Sequence, residues 1–145
     1  MNKNENLNAI RKMDLANAAI HEAGHVVVAR YYGLQTDAWL WENLNADYTK
    51  ENLVGGRMWH SGTTAFRNAC IGFAGYFAEC FMWGEELQTA FECFFASEQS
   101  ATDFDAVCGH AQKWRAAKTT WGILQRQWND VKEEAEELIF NREEK

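Results

Sequence analysis

The segment from Asp14 to Tyr32 is apolar on nearly every side of a helical projection, yet His21, Glu22 and His25 sit in its middle. Leu15, Ile20, Val26, Val27, Val28 and Tyr31, with several alanines between them, mark a helix that belongs inside a core. Burying three ionisable side chains there is costly unless something compensates their polarity. Asp14 is a suitable N-cap for this helix and Gly33 a suitable stop. The fold is therefore expected to form around this helix, and the compensation for its polar trio must form with it.

The spacing points to a metal ion. His21-Glu22-Ala23-Gly24-His25 has the form HExxH, and residues four apart stand one above the other on a helix face, so both imidazoles can reach one ion. Glu22 lies one step round, where it can stand beside the ion and take a proton from water instead of ligating. Zinc lowers the pKa of such a water towards about 7, which supplies hydroxide near neutral pH. A catalytic zinc usually has three protein ligands. The acidic residues and histidines further on, Glu79, Glu85, Glu86, Glu92, Asp103, Asp105, His60 and His110, are the candidates for the third. Residue type does not choose among them.

The rest of the chain reads as mainly helical. No proline occurs in 145 residues, which removes the strongest helix breaker. Ala38 to Trp41 and Val54 to Trp59 read as two short strands, a ribbon around the polar stretch Glu42 to Asn52. Thr63 or Thr64 caps a second helix that runs to Trp83 and stops at Gly84, and Glu85 to Ala96 reads as a third helix or as a continuation after a kink. A further helical region is expected from Asp103 to Asn141, with an interruption at Thr119-Thr120. Unbroken, it would be about 58 Å long at 1.5 Å per residue, so it must bend or project. Gly24 costs its helix about 1 kcal/mol relative to alanine, which suggests that another backbone comes close. The second helix offers a ridge for that approach in Ala69, Gly72, Gly75 and Ala78.

Composition narrows the function. A net charge of -7 with no basic cluster argues against a nucleic-acid partner. Residues 1–13 form a polar segment without the apolar stretch of a signal peptide. Ala69 to Trp83 is short for a bilayer span and carries Glu79, so a buried helix and a soluble, cytoplasmic protein are expected, with no membrane partner. Cys70, Cys80, Cys93 and Cys108 show no CxxC pairing and read as small buried hydrophobes. Trp114, Ala117, Trp121, Leu124, Trp128, Val131, Ala135 and Leu138 repeat at steps of three and four. That seam suits packing on the chain's own domain, or a homo-oligomer formed through the C-terminal helix.

Ala19 to His25 resembles the zinc-binding helix of the FtsH-type metallopeptidases. Gly72 to Glu79, with Gly84 beyond, is similar to that family's following helix, and Ser100 to Asp105 to the segment that carries its third ligand. The three blocks stand in family order over about residues 19–107. The resemblance implies a single helical zincin-like domain over 1–145, zinc held by His21, His25 and Asp103, and Glu22 as general base. It also implies an edge strand near Val54 to Trp59, along which a flexible peptide or unfolded chain would lie. The resemblance extends to neither the family's ATPase nor its membrane anchor, so ATP-independent hydrolysis is expected. A metal-stabilised regulatory or binding module without turnover is the alternative. From the residues themselves, Ser100-x-x-Asp103 also fits a helix-start cap, and Glu79 stays open as a ligand.

Overall fold

The computed structural model describes residues 3–47 and 52–145. Residues 1–2 of the polar N-terminal segment, and 48–51 of the polar stretch between the two strands, lie outside the described residues. The protein is mainly helical. Among the described residues there are helices α1 (Lys3–Tyr31), α2 (Ala65–Met82), α3 (Leu87–Ala96), α4 (Ala101–Cys108), α5 (Lys113–Arg126) and α6 (Trp128–Phe140), and strands β1 (Thr36–Glu42), β2 (Val54–His60) and β3 (Glu143–Glu144).

The central helix is α1, and it begins at Lys3 rather than at Asp14. The segment before Asp14 is polar but holds neither proline nor glycine, so nothing in it breaks a helix already fixed by packing downstream. Arg11 ties this extension to the strands by donating to the carbonyls of Asn43 and Leu53, at 3.1 and 3.4 Å. From Ala19 to Ala29 the helix is buried apart from His21. It ends at Gly33, whose φ of 75° is the left-handed conformation that closes a helix without strain.

Helix α2 crosses α1 at Gly24. A Cβ there would come within 2.6 Å of both the Ala74 carbonyl oxygen and the Ala78 Cβ, so this position admits only glycine at the present separation. Thr64 caps α2, its hydroxyl accepting from the Arg67 amide, and Gly84 (φ 78°) follows its end. Its own Phe73 and Phe77 are fully buried, as is Phe94 of α3. No helix among the described residues is long and apolar enough to cross a membrane.

The sheet has the order β2-β1-β3, with β1 and β2 antiparallel in the register Trp39↔Arg57 and β3 parallel to β1. The expected ribbon is thus three-stranded. A Glu-Glu pair has no strand pattern of its own. It is held there by backbone bonds between Lys145 and both Glu42 and Leu44, each 2.8 Å, and by Arg142 donating to the buried Glu42 carboxylate at 2.6 Å.

The C-terminal region bends twice, at 109–112 and at Gln127, and not at Thr119-Thr120. Thr120 lies within α5, and its buried hydroxyl is satisfied by the Ala116 carbonyl one turn back (2.8 Å) and by the Cys70 carbonyl (3.1 Å). Most of the seam predicted from the sequence turns inward, whereas Trp114 is exposed and Trp128 half-buried. Ala117, Trp121, Leu124, Val131, Ala135 and Leu138 are buried against the chain's own helices, and Trp121 packs edge-on against Phe77 and Phe81. Of the cysteines, Cys70 and Cys80 are buried, but Cys93 is half-buried and Cys108 exposed.

Candidate metal centre

Three helices bring the polar trio of α1 together with a fourth residue. On α1, His21 and His25 stack as the four-residue spacing requires, their rings edge to face with centroids 4.8 Å apart. The Nδ1 atom of His25 donates to the Ile71 carbonyl at 2.6 Å, and that of His21 to Glu79 Oε2 at 2.8 Å. Both acceptors come from α2. They fix the proton of each ring on Nδ1 and turn both Nε2 atoms inward, to 3.2 Å from one another. Asp103, in the first turn of α4, brings Oδ2 to 3.2 Å from His25 Nε2 and 3.6 Å from His21 Nε2. The Ser100 hydroxyl caps α4 by accepting from the Asp103 amide at 3.1 Å, so the capping role and the site role coexist in one residue.

Glycines make this convergence possible. A Cβ at Gly75 would collide with Nε2 of both His21 and His25, so the bare backbone of α2 is what leaves room for the rings. At Gly72 a Cβ would stand 2.9 Å from the Asp103 carbonyl oxygen, which sets how closely α4 approaches. Gly56 on β2 plays the same part for Glu22, whose methylene carbon would lie 2.8 Å from a Cβ there.

Two imidazole lone pairs and a carboxylate oxygen facing one another at 3.2–3.6 Å repel unless a cation lies between them. Protons supply that charge in the metal-free chain. Burial opposes it at His21, but the Asp103 and Glu79 carboxylates outweigh burial and raise the pKa to about 10. His25 is raised on the same balance, burial being overcome chiefly by the Asp103 charge. Burial alone would raise the Asp103 carboxyl, but the two histidines hold it well below the usual range. Burial pushes Glu22 up from 4.5, and the histidine charges offset only part of that. Its Oε1 lies 3.8 Å from His21 Nε2, while Oε2 is buried and has no hydrogen-bond partner among the described residues.

Among the described residues, His21, His25 and Asp103 form a group that could hold a metal ion. Two imidazole nitrogens and one carboxylate oxygen suit a borderline divalent ion such as zinc. The orphaned Glu22 oxygen beside them has the environment of a group that handles water's protons. Glu79 is not part of the converging set, because it holds the far side of the His21 ring, as outer carboxylates do for metal-bound histidines. Of the other candidates, Glu85, Glu86, Glu92 and Asp105 are exposed away from the group, and Glu92 accepts from Gln88. His110 rests against Phe66. His60 lines the adjoining cleft, with its Nδ1 donating to the Ser61 carbonyl at 2.7 Å. Sequence reasoning missed Ile71, which acts through a backbone carbonyl and leaves no side-chain signal, and the roles of Gly75 and Gly56. For Gly75, its place four residues before Glu79 on the small-residue ridge was the available hint.

The group opens into a cleft of about 800 Å³ whose walls include α1, α4 and the length of β2 from Val54 to Met58. Among the described strands β2 pairs only with β1, so its outer edge is free. No family model matches the chain, and no curated protein matches it.

Proposed function

We propose that the chain is a zinc-dependent peptidase, with His21, His25 and Asp103 as ligands and Glu22 as general base. One observation carries this reading: two imidazole Nε2 atoms and a carboxylate oxygen, all able to ligate a cation, converge to 3.2–3.6 Å of one another, next to a buried carboxylate oxygen that lacks a hydrogen-bond partner among the described residues. Zinc bound there would supply Lewis acidity, polarising a carbonyl and acidifying water. Glu22 would take the proton of the attacking water and return it to the leaving nitrogen, two tasks that suit a carboxylate with a raised pKa. The free edge of β2 would bind an extended peptide by backbone pairing, which restricts substrates to flexible or unfolded chains.

The test pairs metal analysis with cleavage. The purified protein is expected to carry about one zinc per chain. A pooled library of unstructured peptides, followed by mass spectrometry, should show cleavage by the native protein and very little by Glu22→Gln, which keeps its zinc and its stability. Cleavage at the native rate by Glu22→Gln would remove this residue from the mechanism. Full zinc occupancy with no cleavage by the native protein would favour a metal-stabilised binding module.

A further inference from the structure

The outward face of the sheet is aromatic. Alternation along β1 and β2 places Leu40, Glu42 and Val54 inward, all buried, and turns Asp37, Trp39, Trp41, Gly55, Arg57 and Trp59 outward. Trp41 is covered, lying flat over Gly55 with the Lys145 ammonium 4.5 Å from its ring centroid. Trp39 and Trp59 are not, with 40% and 51% of their surfaces exposed. Most of the C-terminal seam, the other candidate for self-association, is taken up by the chain's own core, with Trp114 alone of the seam residues exposed.

The register fixes how these residues are arranged. Asp37 pairs with Trp59 and Trp39 with Arg57, so the four outward side chains stand at the corners of a quadrilateral. The tryptophans occupy one diagonal and the opposite charges the other. A second copy turned by 180° about the tryptophan diagonal lays each exposed ring on its twin. The same rotation sets each Asp37 over Arg57 of the second copy. Such a face is complementary to itself in both shape and charge, as a two-fold interface requires. Neither charge has an ion-pair partner within the chain among the described residues; Asp37 Oδ1 only accepts from the neighbouring Ala38 amide, at 3.0 Å.

We infer that the protein forms a two-fold dimer through this sheet face, anchored by Trp39 and Trp59 and keyed by the Asp37–Arg57 pairs. Buried tryptophans at the centre of a contact, with arginine beside them, are the residues that carry most interface energy. This inference is independent of the peptidase reading; Arg57 also lines the metal cleft, whose other β2 residues, Val54, Gly56, Met58 and His60, belong to the opposite face of the sheet.

Sedimentation velocity of the full chain between micromolar and millimolar concentrations tests it. A concentration-dependent dimer is expected, and Trp39→Thr with Trp59→Thr should give a monomer whose circular dichroism is native. Asp37→Arg and Arg57→Asp each place like charges together at two points of the dimer, so each should weaken association more than about tenfold. Combined in one chain, the two reversals recreate the pairs with exchanged sign and should restore association to near the native strength. A native chain that stays monomeric throughout overturns the inference. So does a dimer indifferent to the tryptophan changes, or a double reversal no stronger than the singles.

Discussion

Gly75 shows how much of the centre depends on an atom that is not there. Its missing Cβ leaves the space that both Nε2 atoms use, so Gly75→Ala must push the rings apart or push α2 away from α1. Zinc affinity is expected to fall by at least about tenfold, since changes that only disturb a ligand's orientation already cost about 10–100-fold. Gly24→Ala makes a useful contrast, because its clash is with α2 and not with the rings. It should lower thermal stability while leaving the ligand set chemically complete. Asp103 and Glu79 differ in a comparable way. Asp103 faces both Nε2 atoms, whereas Glu79 orients only His21. Removing an orienting partner typically costs about 10–100-fold in affinity. Zinc titration of Asp103→Ala should therefore show a larger loss than Glu79→Ala, and the reverse order would make Glu79 the ligand.

Trp121 and Trp128 lie on successive helices, α5 and α6, and differ in what they touch. Trp121 is 8% exposed and its ring meets those of Phe77 and Phe81, whereas Trp128 is half-buried and its ring meets that of Phe81. Trp121→Ala should cost about 3–5 kcal/mol in chemical denaturation, and Trp128→Ala about half as much. Equal losses would mean that the seam is packed differently. The seam itself was legible because burial follows a period of three and four whether the helix is continuous or bent. The bends were not legible. Gly109 to Gln112 and Gln127 hold no proline, and the β-branched pair Thr119-Thr120 has the lower helix propensity, which packing of the buried Thr120 overrides. The strand β3 was invisible for a related reason: two glutamates are placed by what surrounds them, Arg142 and Lys145 on Glu42, and not by their own propensity. The HExxH helix could be read because its chemistry lies within five consecutive residues. Ile71 and Gly75 could not, because a carbonyl and an absent side chain have no residue-type signature.

At the scale of the molecule, α1, α2 and α4 converge on one cluster of charge, so the stability of the whole chain is linked to what neutralises that cluster. In the metal-free protein protons do so. His21 keeps its proton up to about pH 10 when folded, against 6.5 when unfolded. Its contribution is therefore full below about pH 6.5 and is lost as the pH rises through about 10. His25, also raised, acts with the same sign, and so does Glu22, whose raised pKa makes the folded state pay for ionisation above about 4.5. Asp103 acts in the opposite direction. Its contribution is present above about 3.8 and is lost as the pH falls through its lower folded value. The metal-free chain should then be most stable between about pH 4 and 6.5 and weaken steadily towards pH 10. On the proposed ligand set, zinc would reverse the upper half of that profile, because it requires neutral imidazoles and binds more tightly as they lose their protons. At a free concentration a hundred times its dissociation constant it would add about 2.7 kcal/mol. Calorimetric melting of the zinc-loaded and the chelator-treated protein should give curves that lie close together near pH 5 and separate progressively up to pH 9. Curves that stay parallel across that range would mean that the histidine protons and the metal do not compete, and His21 and His25 would then not be its ligands.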